Sequence, residues 1–427
     1  MRRFLTTLLL STASSFLWAQ KIDGIITVKE AQRVISVLAS DDMRGRRVFT
    51  PDIERAADFI AAEFKATGLK TWDKSDSYRQ EFVLIRPKFI SAGAVFDGVS
   101  IEQRKIIVVT CQPQLKIDQG SGYEKAYIKA GANLQTEARQ FIRRNKNMMV
   151  LVDTAFAASF GSLARLKSSL FKTNTNVVFV LSATDPASYS IEAVHEISEQ
   201  KMANVVGVLP GKGKKDEYIV FSGHYDHLGV GRPVNGDSIY NGANDDAAGT
   251  TAVIMLAKYF KELKDNERTI VFAAFTAEET GGYGSQYFSR QFDPDKVVAM
   301  FNIEMIGTES KWGKNSAYIT GYEKTNMGDI LAKDLEGTGF TFYPDPYPSQ
   351  NLFYRSDNAT LARLGVPAHT ISTSKMDSEP NYHKVTDQVE TLDLENMTMI
   401  IKAIALSSKS IVAGKETPTR VKVEELR

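Results

Sequence analysis

From Ala203 onward the chain alternates short β-rich apolar runs with stretches of helical periodicity, and this alternation constrains the fold more than any other feature. Tyr218 to Ser222 is a β-rich run, Ala247 to Phe260 repeats its apolar residues at helical spacing, Thr269 to Phe275 is strand-like again, and Val297 to Ile303 follows suit. Ala317 to Thr320 and Ala368 to Ile371 add candidate strands, with helices expected at Met327 to Leu335 and Leu394 to Ile411. Strands separated by helices predict an α/β fold, a mostly parallel twisted sheet covered by helices on both faces. The Tyr343-Pro344-Asp345-Pro346-Tyr347-Pro348 segment reads as a loop, because three prolines remove ladder donors.

Upstream, Thr27-Val28-Lys29-Glu30 has the form of a capping box and opens a helix through Val34, Ile35 and Leu38. Asp52 is positioned to cap a second helix, whose apolar residues Ile53, Ala56, Ala57, Ile60, Ala61 and Phe64 recur until Gly68 stops it. Around Pro87 the character changes. Ala92 to Cys111 and Met148 to Val152 look like strands separated by a polar stretch, so 88–203 reads as an inserted β-rich or mixed subdomain between 21–87 and 204–427. Its Arg143-Arg144-Asn145-Lys146 run reads as a solvated face.

Composition narrows the chemistry. With 52 Lys and Arg against 51 Asp and Glu, the chain has no overall field for nucleic acid or an anionic membrane. The single cysteine, Cys111, excludes an intramolecular disulfide and a cysteine-ligated zinc cluster, and within its apolar run it reads as a small core residue. Arg2 and Arg3 precede an apolar stretch from Phe4 to Leu17 that ends in Trp18-Ala19-Gln20, the pattern of a signal peptide over 1–20. The expectation is export to the periplasm or outside the cell, with no stable membrane insertion after the leader is removed.

Open parallel sheets bind ligands beyond the carboxyl ends of their strands, so the polar residues that follow each apolar run carry the functional signal. The first run ends in Ser222-Gly223-His224-Tyr225-Asp226-His227, and a loop holds Gly242-Ala243-Asn244-Asp245-Asp246. The next strand ends in Thr276-Ala277-Glu278-Glu279, another in Asn302-Ile303-Glu304, and a distant loop carries Asn381-Tyr382-His383. Histidines and carboxylates without a thiolate suit zinc ahead of manganese or cobalt.

This ordered set resembles the co-catalytic dizinc aminopeptidase family, zinc exopeptidases related to aminopeptidase Y, glutamate carboxypeptidase and glutaminyl cyclase, with the non-enzymatic transferrin receptors as a further branch. The resemblance is loose over 27–87 and close over 203–415. It implies that Asp245 bridges two zinc ions, with His224 and Glu304 completing one site and Glu279 and His383 the other. It further implies that Glu278 is the general base toward an activated water, and that Asp226 fixes the His224 imidazole. Many members have Asp where this chain has Glu304, and a cis peptide bond would fall at Asp245-Asp246. Tyr354 and Tyr382 are candidates for an oxyanion donor or pocket wall. Ser356-Asp357 reads as a helix N-terminus, His195 and His369 as structural residues, and His227 as intermediate between a structural residue and one behind the ligands.

The implied activity is removal of N-terminal residues from peptides. The same scaffold also supports carboxypeptidases, for which Arg355 is a candidate arginine, glutaminyl cyclases with a single zinc, and inactive binding modules. Side-chain preference and oligomeric state are not legible in the sequence.

Overall fold

The computed structural model describes residues 22–426, so the proposed leader over 1–20 lies outside the described residues. The chain divides into two compact units, Met1–Glu81 with Ala203–Arg427, and Phe82–Met202. Among the described residues no helix is long and apolar enough to cross a membrane.

In the first unit, helix α1 (Val28–Leu38) starts at Thr27, whose hydroxyl accepts from the Glu30 amide at 3.2 Å, and it buries Ala31, Val34, Ile35 and Leu38. Helix α2 (Pro51–Thr67) is capped by Thr50 rather than Asp52: the Thr50 hydroxyl accepts from the Asp52 amide at 3.3 Å. Pro51 takes the first helical position, where its missing N–H costs nothing, and this shifts the cap upstream of the expected residue.

The sheet of this unit is built from the Ala203–Leu209 part of β1 (Tyr189–Leu209) and from β2 (Lys214–His224), β3 (Arg268–Phe275), β4 (Val297–Ile303), β5 (Ser316–Ile319), β6 (Thr341–Pro344) and β7 (Ala368–Ser372). Their order is β6-β5-β7-β4-β2-β3-β1. The central strands β7, β4, β2 and β3 run parallel, while β1 and β5 join antiparallel. The segment read as a proline loop therefore begins inside β6. That strand pairs parallel with β5 at the rim of the sheet, and Pro344 is its last residue, where a missing donor is tolerated.

Side-chain alternation assigns the faces. Ile219 and Phe221 of β2 enter the larger core with α1, α2, α3 (Ala248–Leu263) and α4 (Leu394–Ser407), whereas Val220 enters a second core with Phe288, Phe292 and Leu361. Parallel register puts Phe221 opposite both Phe272 and Phe301, so their rings stack at 5.9 and 4.8 Å, with Phe260 of α3 above at 5.4 Å. Each such pair contributes about 0.5–1.5 kcal/mol beyond its burial. Helix packing on both faces leaves the strand ends as the place where polar residues can gather.

The second unit carries a four-stranded sheet in the order Ile106–Val109, Val177–Leu181, Met148–Val152, Glu124–Ile128, with the last three parallel. Within the expected polar stretch lies the helix Leu134–Arg143, whose cap Asn133 accepts from the Thr136 amide at 3.1 Å. It connects two parallel strands, a link that needs a crossover element. Cys111 falls just after a strand rather than within it and is half-buried, so it is not the core residue its apolar neighbours suggested.

Candidate metal centre

The parallel strands end along one edge of the first unit's sheet. His224 is the last residue of β2, Glu278 and Glu279 follow β3, and Glu304 follows β4. Asp245 arrives on the turn Ala243–Ala247 that leads into α3. Gly242 makes that turn possible: its φ is +57°, and a Cβ there would lie 2.3 Å from the Asp245 carbonyl oxygen and 2.5 Å from the His227 ring. The Asp245-Asp246 peptide bond is cis, at the position the family resemblance marked.

Two groups of donors converge, His224 with Asp245 and Glu304, and His227 with Asp245 and Glu279, and in each the ligand atoms lie within 4.8 Å of one another. His224 Nε2 is 3.1 Å from Asp245 Oδ1, while His383 Nε2 is 3.2 Å from Asp245 Oδ2 and 3.1 Å from Glu279 Oε2. A tetrahedral ion with donors at 2.0–2.1 Å has donor-to-donor edges of about 3.3 Å, close to these separations. His224 Nε2, Asp245 Oδ2, Glu279 Oε1 and Glu304 Oε2 are buried with no hydrogen-bond partner. Near in space but not aligned as hydrogen bonds, they fit a shared cation better than one another.

Electrostatics agree. Burial, with the charges of Glu304, Asp357 and Glu279 nearby, pushes the Glu278 carboxyl well above the usual range, although His224 opposes this. Burial raises Glu304 to about 7, again against the pull of His224. At Asp245 burial also acts upward, but the imidazoles of His224, His383 and His227 outweigh it and the net shift is downward. So many buried carboxylates in one place call for positive charge.

The loops are fixed by carboxylates. The Asp226 carboxylate accepts from the Glu278 amide at 3.0 Å and the Glu279 amide at 3.3 Å. It lies 3.7 Å from His224 Nδ1, which instead sits 3.1 Å from the Asp226 backbone oxygen. The chain carbonyl, not the carboxylate, is thus the near partner of that imidazole. Asp387 accepts from the Asn244 and Asp245 amides at 2.8 and 3.0 Å. Asp246 accepts from the amides of His224, Gly249 and Met305 and so ties β2, α3 and the end of β4 together.

Of the two tyrosines, the structure brings Tyr382 to the cluster: its ring stacks on His383 at 3.9 Å and lines a pocket with Glu304, Met305, Tyr318, Arg355 and Met376. Tyr354 packs edge-on to Phe353, with the Arg363 guanidinium over its ring, against the second apolar core. His227 comes closer than the sequence suggested, with Nδ1 2.8 Å from Glu279 Oε1. Its proximity to His224, three residues away, was the one available signal. A helix does begin just after Asp357, at Asn358–Ala362, but the Asp357 carboxylate makes no cap bond to it, and both of its oxygens are buried without a hydrogen-bond partner. His369 is satisfied by Thr320 and Thr325, as a structural histidine should be.

A probable zinc metalloprotease of Pyrenophora teres f. teres is 35% identical over 239 residues, 52% of this chain and 51% of its own. A probable leucine aminopeptidase of Trichophyton verrucosum is 26% identical over 45% of this chain and 53% of its own, so the chain spans about half the length of the curated relatives it matches. Among solved structures, the aminopeptidase from Aneurinibacillus sp. strain AM-1 superposes with a TM-score of 0.55 at 16% identity, covering 95% of this chain and 98% of that one. BSAP, a zinc aminopeptidase from Bacillus subtilis, gives 0.53 at 18% identity, covering 92% and 97%, a likeness of fold. Residues 204–407, just under half of the chain, match the model of peptidase family M28.

Proposed function

We propose that the chain is an exported zinc-dependent exopeptidase, an aminopeptidase that hydrolyses N-terminal residues of peptides. The observation that carries this reading is the pair of donor clusters sharing Asp245, with buried nitrogen and oxygen atoms that lack hydrogen-bond partners. His224 and Glu304 would hold one zinc ion, Glu279 and His383 the other, and Asp245 both. Bound there, the ions would supply Lewis acidity toward the scissile carbonyl and toward water.

The protein's own groups do the rest. Glu278 takes the proton from the attacking water and delivers it to the leaving amine. Its burial suits a carboxylate that must both accept and return a proton. Asp226 is a positioning residue that holds the Glu278 and Glu279 amides, and His227, against Glu279 Oε1, is another. Tyr382 borders the site and is the candidate donor to the developing oxyanion.

The test is metal analysis of the mature protein together with release of amino acids from short peptides blocked at either end. About two zinc ions per chain, with hydrolysis abolished by N-terminal blocking, would support the aminopeptidase reading. Hydrolysis abolished by C-terminal blocking instead would reverse the polarity. A Glu278→Gln protein that keeps full activity would falsify the base assignment. N-terminal sequencing of exported material tests the leader, with a mature end just after Ala19 or Gln20 expected.

A further inference from the structure

The unit Phe82–Met202 contains a pocket of about 420 Å³ lined in part by Arg86, Lys88, Lys167, Ser168, Glu196 and Ser198. Lys167 is only 8% exposed. The neighbours its ammonium meets are neutral: His195 Nε2 at 3.3 Å and the face of the Phe89 ring, whose centroid is 4.6 Å away. Burial lowers its basicity, and neither of these close neighbours is a carboxylate. Burial pulls the ammonium down to about 8, which leaves it mainly charged at neutral pH.

His195 completes an unusual pair. Because the lysine must donate, Nε2 is the acceptor and Nδ1 carries the proton, a tautomer assigned from the contacts. That Nδ1 is buried with no hydrogen-bond partner, and the residue is 2% exposed, so it is not the fully satisfied structural histidine expected from sequence. At the mouth, Lys88 pairs with Glu196 at 2.9 Å through largely exposed side chains. Arg86 is a further cation in the lining, so three cationic side chains face one acid.

A desolvated ammonium without a counter-charge costs several kcal/mol unless something neutralises it. We propose that this pocket binds an oxyanion, a carboxylate or a phosphate group, which pairs with Lys167 and is flanked by Arg86. This site is independent of the proposed peptidase chemistry: its residues all belong to the second unit, and none is a candidate ligand.

The experiment compares the zinc-loaded full chain with its Lys167→Met and Arg86→Gln variants in thermal unfolding. The probes are inorganic phosphate and an N-acetylated dipeptide with a free carboxylate, each against chloride at matched ionic strength. Lys167→Met should fold well, since it replaces a buried charge by an apolar side chain of similar length. Wild type should gain more Tm from at least one probe than Lys167→Met, with Arg86→Gln between them. Anion binding at the metal centre contributes equally to all three proteins, so equal gains would overturn the proposal.

A second readout is trace acetylation followed by peptide mapping. The anion should suppress labelling of Lys167, about tenfold at ten times its Kd, and leave Lys88 unchanged. Equal suppression at both lysines would mean simple ionic screening and would also overturn it. Protection by phosphate alone would identify a phosphate-bearing ligand, and protection by the dipeptide alone a peptide carboxylate.

Discussion

The Asp226 carboxylate receives the Glu278 backbone amide at 3.0 Å, with its other oxygen 3.3 Å from the Glu279 amide. One buried anion therefore sets the course of the chain through the proposed base and a proposed ligand, 52 residues away in sequence for Glu278. An Asn at 226 would turn an N–H toward one of these amides in place of an acceptor. Asp226→Asn should lower kcat about ten- to a hundredfold, the usual effect of losing a partner behind a metal site. Because Asp226 is fully buried and acts through backbone amides, KM should move far less, and steady-state kinetics beside metal content would separate the two.

Metal removal has an expected thermal signature. Without cations the cluster leaves buried carboxylates such as Glu304 beside Asp245 and Glu278 uncompensated. A bound ion stabilises the folded state by mass action, by about 4 kcal/mol at a thousand times Kd. Chelation should therefore lower Tm and re-addition of zinc should restore it. His383→Ala should reduce the bound metal from about two ions to about one, since it removes a donor from only one half of the site. Unchanged stoichiometry in that variant would remove His383 from the ligand set.

The sheet was readable because its central strands are buried on both faces: β4 was delimited at Val297 and Ile303 by its continuous apolar run. The same logic located His224, Glu279 and Glu304, since each follows the end of such a run. Asp387 was not readable. It acts through the amides of Asn244 and Asp245, more than 140 residues upstream, and no local period or spacing marks a carboxylate whose partners are backbone groups. His227 was undervalued for a related reason, because only the folded turn brings it to Glu279. The end of β6, Tyr343-Pro344, was misread since proline statistics penalise central strands, whereas this one lies at a rim.

Arg46 was also invisible, and it offers a strong stability test. Fully buried, it donates to the backbone oxygens of Leu38 and Asn241 at 2.6 Å, Tyr225 at 2.8 Å and Gly242 at 2.9 Å. It thereby ties the end of α1 to two of the segments that carry donors of the candidate site, those of His224 and Asp245. Arg46→Met keeps an apolar stem but leaves these carbonyls unpaired, each at about 1–3 kcal/mol when no water replaces the donor. The expected loss is at least about 4 kcal/mol in urea unfolding, together with weaker zinc retention. A change below about 1 kcal/mol would mean that water takes over the four acceptors.

A last prediction concerns acid. Glu30 of α1 and Glu63 of α2 share Arg33 and Lys258, which joins the two helices to α3: Arg33 reaches both carboxylates at 2.8 Å, and Lys258 reaches Glu63 at 2.7 Å. Arg33 above all holds the Glu30 carboxyl down at about 2. Burial pushes Glu63 the other way, but the two cations outweigh it and its net shift is also downward. A carboxylate with a depressed folded pKa binds fewer protons folded than unfolded, so its contribution is complete above about 4.5 and is lost as pH falls toward about 2. Solvent screening limits each to about 1 kcal/mol or less. Unfolding free energy should therefore decline across that window, and Arg33→Gln should flatten the decline while changing stability least at the acid end. An undiminished slope in that variant would assign the acid sensitivity to other carboxylates.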